Sequence, residues 1–174
     1  ELGRADWGDV RRTQRLVEIA QAFGARPSAS LPQAMGSAAA SKAAYRFFDN
    51  PAADQQAILA AHLQATYIRL QAVPLVLAVQ DTVYLDWSHH PATKGLGALA
   101  QRERRGLLVH TTLAITPERV PLGILDQYTW ARDPQTFAQL DDHKQRPIEA
   151  KESYKWLMSL ESVNATSEQV PQTQ

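Results

Sequence analysis

Helical patterns of apolar residues occupy the first seventy positions of the chain. From Val10 to Phe23 the apolar side chains recur every three or four residues, as they do on one face of an α-helix. Similar spacing predicts a second helix over Ser37–Phe48 and a third from Asp54 to about Gln71. Residues 25–35 contain two prolines and are predicted to form a loop. These patterns together predict a helical region over residues 1–72.

After this region the pattern changes to that of β-strands. Residues 74–87 open with a continuous apolar run, which predicts a strand buried on both faces. Two further strands are predicted over Gly106–Thr116 and Val120–Trp130. Because only a short turn separates them, we expect these two strands to form an antiparallel hairpin.

A fourth helix is predicted to follow the three strands. It begins at Pro147, and its spacing places Trp156, Leu157 and Leu160 on the buried side. Residues 164–174 are polar and are predicted to form a tail without fixed structure.

Composition excludes several classes of function. Eighteen basic and eighteen acidic residues leave no net charge, so a nucleic-acid site must come from local clusters. The chain has no cysteine, which excludes disulfides, cysteine-based zinc sites and thiol catalysis. No apolar run has the length of a membrane span, and no signal peptide is visible. The first residue is Glu1 rather than methionine, from which we expect a processed form or a piece of a longer chain.

Three local clusters of basic residues are candidates for DNA contact. The first lies in the opening turns of the first helix, where cations oppose the helix dipole. The second shares one face of the second helix at spacings of three and four residues, and the third precedes the second strand. Each cluster has an alternative interpretation as a solvated surface. The clusters are Arg11, Arg12 and Arg15; Lys42, Tyr45 and Arg46; and Lys94, Arg102, Arg104 and Arg105.

Asp81 is the candidate for metal binding. It follows the apolar run of the first strand, where burial of a carboxylate is costly unless it is paired or bound to a cation. One interpretation is a strand-end aspartate that hydrogen-bonds a turn, and the other is a metal-ligating carboxylate at a strand end. The residues of this strand alone leave both interpretations open.

Five segments in a fixed order resemble the N-terminal part of bacterial cut-and-paste DDE transposases of the insertion-sequence type. The likeness covers about residues 5–163. The segments are DVRRTQRL at 9–16, SKAAYRFFDN at 41–50, AVQDT at 78–82, RGLLVH at 105–110 and KESYKWL at 151–157.

This resemblance implies a mixed α+β or α/β fold class. Residues 1–72 would form a small helical region that binds the transposon end, and residues 73–163 an incomplete RNase H-like core of three strands and a helix. Asp81 matches the family's first catalytic carboxylate, which binds Mg²⁺ in a two-metal site. The implied partner is double-stranded DNA, bound by a homodimer in the bacterial cytoplasm with the nucleoid, without a membrane or a small-molecule substrate.

The chain departs from the family pattern in its second half. The second Asp and the Glu of the family site have no counterpart after Pro147, and one ligand cannot hold two metal ions. We therefore expect a shortened or decayed transposase that does not cleave DNA alone. One alternative is a regulatory protein that pairs with or competes with full-length transposase. Another is a small nuclease that uses Asp81 with Glu152 or Asp126.

Overall fold

The computed structural model describes residues 1–100, 103–133 and 146–173. The chain divides into two compact units, Glu1–Ala65 and Thr66–Gln174. A helical region is followed by a small antiparallel sheet and a C-terminal helix, so the mixed α+β class is confirmed. The RNase H-like architecture stays a prediction. The division falls inside a helix, several residues before the predicted boundary at residue 72, because the C-terminal turns of that helix pack with the sheet.

Four helices account for the N-terminal region. They are α1 (Val10–Ala25), α2 (Leu31–Met35), α3 (Ala38–Phe48) and α4 (Gln55–Leu70). Asp9 and Ser37 cap α1 and α3, each accepting a hydrogen bond from a backbone N–H of the first turn. The predicted loop over residues 25–35 is wrong in part, since α2 forms within it. Ser30 and Gln33 form a capping box that starts this short helix.

The first unit is held together by one apolar cluster. Leu16 and Ile19 of α1 are buried against Ala44 and Phe47 of α3. Trp7, which precedes α1, packs edge-on against Phe47 with ring centroids 5.7 Å apart. Ala44 and Phe47 thus form the buried face of α3, and the opposite face is left to solvent.

The second unit contains an antiparallel sheet with β3 at its centre. Its strands are β1 (Leu77–Asp86), β2 (Gly97–Ala98), β3 (Arg105–Ile115) and β4 (Pro121–Trp130). β1 pairs with one edge of β3, and β4 pairs with the other edge. The two-residue strand β2 pairs with the start of β3. The predicted hairpin is confirmed as β3–β4, which turns through Pro117–Arg119.

The predicted burial of the first strand on both faces is wrong. Val79 and Val83 are 44% and 49% exposed. Within the described residues β1 pairs with β3 alone, so it lies at an edge of the sheet. An apolar run specifies a strand that can be buried, but the covering element has to come from elsewhere in the chain.

The predicted helix at the C-terminus forms, with a different start and a different buried face. We name it α5; it spans Tyr154–Gln169 and follows a short 3₁₀ turn. Ser159 and Thr166 are its buried residues. The residues predicted to be buried are about half exposed: Trp156 44%, Leu157 43% and Leu160 50%. The sheet face below α5 carries Asp126, which accepts a hydrogen bond from Ser159 Oγ at 3.3 Å.

The prediction of a polar tail from residue 164 is also wrong. α5 continues to Gln169, and Val170 is buried beside Leu70 of α4. Thr173 Oγ1 donates a hydrogen bond to the Leu70 carbonyl at 2.8 Å. A polar composition permits a helix when a few buried contacts, here those of Thr166 and Val170, stabilise it.

An ion pair joins the residues just after β4 to the turn just before α5. The Arg132 guanidinium donates two hydrogen bonds to the Glu152 carboxylate, at 2.5 Å and 2.7 Å. Trp130 Nε1 donates a further one to the same carboxylate, at 3.3 Å. The Arg132 guanidinium also lies over the ring of Tyr84 on β1, 5.5 Å from its centroid. These hydrogen bonds, the one from Arg132 foremost, lower the pKa of Glu152.

We expect Glu152→Gln to lower the unfolding free energy of the chain by about 1–3 kcal/mol at neutral pH, because it removes a charge-assisted pair. Partial exposure of Glu152 favours the lower end of this range. The pair stabilises the fold fully above 4.5, the ordinary pKa of a Glu, and loses its effect as pH falls through the lower folded value. Chemical unfolding at several pH values measures this.

Glu161→Gln is the control for the loss of an acidic side chain, since Glu161 is an exposed residue of α5, the helix that follows Glu152. It should leave stability unchanged at each pH. A difference between Glu152→Gln and the original protein that does not shrink in acid would contradict the assignment.

Candidate nucleic-acid interface

A helix–turn–helix lies in the first unit, formed by α2 and α3. The turn between them is Gly36, which has a positive φ of 71°. An L-residue with a side chain rarely adopts this conformation, so glycine permits the sharp reversal at the end of α2. Ser37 Oγ then accepts a hydrogen bond from Ala40 N and starts α3. The first helix of this motif, α2, lies in the segment that the sequence predicted to be a loop.

Two of the predicted basic clusters meet in one groove between α1 and α3. This groove, which we call the α1–α3 groove, encloses about 460 Å³. Arginines of α1 line one side, and Lys42 and Arg46 of α3 line the other. No carboxylate lines it within the described residues. The residues lining it are Arg11, Arg12, Arg15, Ala39, Lys42, Ala43, Arg46, Phe47 and Asn50.

The ion pairs of this groove are few and lie at the surface. Arg11 pairs with the capping residue Asp9 at 3.1 Å, and this side-chain hydrogen bond lowers the Asp9 pKa. Arg15 pairs with Glu18 at 2.6 Å. Exposed pairs of this kind contribute little to stability, so an incoming phosphate can replace the carboxylate.

Other cations of the groove keep their charge uncompensated. Arg12 donates a hydrogen bond to the carbonyl of Trp7 at 3.2 Å, which orients the guanidinium without neutralising it. Lys42 and Arg46 form no ion pair with any acidic residue in the described ranges. The groove is therefore locally positive although the whole chain has no net charge.

A second groove lies on the other flank of α3, towards α2. This α2–α3 groove encloses about 920 Å³ and shares Lys42 and Arg46 with the first. Tyr45, which is 50% exposed, lines this groove only. The residues lining it are Arg26, Pro32, Gln33, Gly36, Ser37, Ala38, Ser41, Lys42, Tyr45, Arg46 and Asp49.

Arg26 is a member of this surface that sequence analysis missed. It follows the last residue of α1, and its Nη1 donates a hydrogen bond to the Gln33 carbonyl at 2.9 Å. The predicted loop assignment concealed it, because a basic residue in a loop has no helical face to which it can be assigned. The capping-box spacing of Ser30 and Gln33 was the signal for α2, and hence for this neighbour.

The first 53 residues match a known family model. Its description is transposase DNA-binding, and it covers residues 1–53. The match supports a transposase N-terminal region here and implies DNA as its partner. It contains every residue of the α1–α3 groove. The DDE catalytic core and the insertion-sequence type stay expectations.

The third predicted basic cluster lies in the second unit and is partly engaged. Arg104 pairs with Asp86 of β1 at 3.3 Å. Arg105 starts β3, and it and Lys94 are exposed. Arg102 lies outside the described residues. These four residues were predicted to act as one cluster. The three that the structure describes are all exposed, and one of them, Arg104, is paired.

Asp81 lies in the middle of β1, not at its end. It faces Thr111 of β3 in the sheet register and is exposed to solvent. Val79 and Val83, two residues away on either side, share its face of the sheet. The predicted position of Asp81 at a strand end, which both interpretations assumed, is therefore wrong, and its role as a metal ligand stays a prediction.

The residues on either side of Asp81 contact a buried histidine on the opposite face. Thr82 Oγ1 lies 2.8 Å from His110 Nδ1, and Gln80 Oε1 lies 3.4 Å from His110 Nε2. The His110 ring packs edge-on against Trp156 of α5. Burial, followed by the positive charge of Lys155, lowers the pKa of His110, so the ring is neutral around neutral pH. This packing fixes the backbone that carries Asp81.

The structure does not bring Asp81 together with the other acids considered in the nuclease hypothesis. Asp126 bonds Ser159 and Glu152 bonds Arg132, both on the face that α5 covers. Asp81 points to the other face, because side chains alternate along a strand. In residues 1–100, 103–133 and 146–173, no group of three or more acidic or histidine side chains could hold a metal ion. Among the described residues, Asp81 is thus the one carboxylate of the predicted metal site, and one carboxylate does not fit a two-metal centre.

No helix of the described residues is both long and apolar enough to cross a membrane.

We expect alanine to have opposite effects on stability at two glycines of the first unit. Gly36→Ala should destabilise the chain by about 1 kcal/mol, since the positive φ disfavours alanine although its Cβ would meet open space. Gly24→Ala, inside α1 and also unobstructed, should stabilise it by about 0.5–1 kcal/mol. Thermal unfolding of both variants measures this. Equal shifts of the same sign would contradict the turn assigned to Gly36.

Proposed function

We propose that the chain binds the duplex DNA of a transposon end through its first unit, as part of a transposase. The observation that carries this proposal is the α1–α3 groove, which gathers five cations from two helices without a lining carboxylate. Lysine and arginine neutralise phosphates and release the counterions that surround DNA. The transposase DNA-binding match over the same residues agrees with this chemistry.

The two helices suit a duplex better than a small anion. A groove open to solvent with cations along both walls follows a line of phosphates, whereas a small anion favours a closed pocket. An α-helix is about as wide as the major groove of B-DNA, so α3 can enter it while the arginines of α1 reach the adjacent backbone.

A catalytic role for the second unit is a further part of this proposal. Asp81 would hold Mg²⁺ as one of its carboxylate ligands, and the ion would supply Lewis-acid activation of the attacking water or hydroxyl. Its place in β1, next to the Thr82–His110 contact, supports this role. Further ligands would have to join it, since the described residues supply one.

We expect Arg12→Ala combined with Lys42→Ala to weaken binding to a duplex with the element's terminal repeat by roughly 10- to 100-fold. The slope of log affinity against log salt should fall by about 2, because two phosphate contacts are lost. Electrophoretic mobility shift titrations at several salt concentrations measure both quantities.

Arg4→Ala combined with Lys151→Ala removes the same charge outside both grooves and should leave affinity nearly unchanged. Equal losses in the two double variants would sink the proposal. Asp81→Asn should retain duplex binding and abolish any Mg²⁺-dependent nicking by the protein expressed from its natural reading frame. Nicking that survives Asp81→Asn would remove Asp81 from the catalytic site.

A further inference from the structure

The two flanks of α3 differ in chemistry. The α1–α3 groove presents guanidinium and ammonium groups, with Asn50 as its other polar side chain. The α2–α3 groove adds hydroxyl and amide groups, the Arg26 guanidinium and the Asp49 carboxylate to the shared Lys42 and Arg46. Cations bind the phosphates of any sequence, whereas base edges are distinguished by placed hydrogen-bonding and apolar groups. The two flanks are therefore suited to different parts of a duplex.

Several polar groups of the α2–α3 groove are already committed within the protein. Ser37 Oγ accepts the capping hydrogen bond of α3, and Ser41 Oγ donates to the Ser37 carbonyl. The Arg26 guanidinium donates to the Gln33 carbonyl. In the described residues, the Tyr45 hydroxyl has no hydrogen-bond partner, and half of its side chain is exposed.

We propose that Tyr45 is a specificity-determining residue: its hydroxyl contacts a base edge in the major groove while the α1–α3 groove holds the DNA backbone. This inference rests on the proposed function. Tyr45 lies between Lys42 and Arg46 along α3, so the two cations direct the helix towards DNA on either side of the phenol. The ring also offers an apolar surface to a thymine methyl group.

Small side chains at the start of α3 allow this helix to approach the major groove. Ala38 and Ala39 begin α3 and are exposed, so the first turn of the helix carries no bulky side chain outward. In a helix–turn–helix the second helix lies in the major groove. Tyr45 is the aromatic residue on this face that lines a groove, while Phe48, 57% exposed, lines neither.

The test compares affinity for a terminal-repeat duplex and for a scrambled duplex of equal length and composition. Tyr45→Phe removes only the hydroxyl and should lower affinity for the terminal repeat about three- to tenfold, with no change for the scrambled duplex. The salt slope should also stay unchanged, unlike that of Arg12→Ala. Phe48→Ala, compared with Tyr45→Ala, controls for the loss of an exposed aromatic ring from α3.

Each outcome decides the matter. A loss confined to the terminal repeat supports the inference. Equal losses for both duplexes would mean that the hydroxyl contacts the backbone and would overturn it, as would no change for either duplex. If the unaltered protein binds neither duplex, the proposed function fails and the inference fails with it. If binding occurs and depends on Arg12 but not on Tyr45, the inference alone fails.

Discussion

The packing of α3 against α1 through Ala44 is the contact on which the basic surface depends. Ala44 is fully buried in a cluster with Leu16, Ile19 and Phe47. A methyl side chain at this position allows the two helices to approach closely, and a larger one would force them apart in a close-packed interior. Because of this contact, cations that lie about thirty positions apart in the sequence line one groove.

The charge of this groove follows from which pairs the fold forms. Arg11 and Arg15 share their charge with exposed carboxylates, whereas Arg12 is oriented by a neutral carbonyl. A neutral chain thereby acquires a positive surface on one unit. The second unit uses its charges differently, since Arg132 and Glu152 neutralise each other and join the end of β4 to the turn before α5. Arginines thus form a surface for a partner in the first unit, whereas an arginine stabilises the fold in the second.

Local patterns were enough to predict much of the fold. The predicted helices form, with α1, α3 and α4 starting near caps that are visible in the sequence, and β3–β4 forms the expected hairpin. Burial was harder to predict, because it depends on the partner of an element. The apolar run of β1 lies at an exposed edge of the sheet. In α5, Ser159 rather than Leu160 is buried against the sheet, and it donates a hydrogen bond to Asp126 there. Periodicity identifies a helix, but the chemistry of the opposing surface decides which face is buried.

The sequence was enough to identify the basic residues of α1 and α3 as candidates for DNA contact. It was not enough to predict that they line a common groove. Spacing along one helix places Lys42 and Arg46 on one face. Their meeting with the arginines of α1 requires the packing at Ala44 and the turn at Gly36. Arg26 was missed for the same reason, since only the fold of α2 brings it to the surface beside α3.

The most direct test of DNA binding in the α1–α3 groove is lysine acetylation with and without a terminal-repeat duplex, read residue by residue by mass spectrometry. Lys42 is the lysine that lines this groove, whereas Lys151 and Lys155 belong to the second unit. Bound DNA should protect Lys42 strongly and leave the reactivity of Lys151 and Lys155 nearly unchanged. Full reactivity of Lys42 in a complex that demonstrably forms would contradict the placement of DNA in this groove.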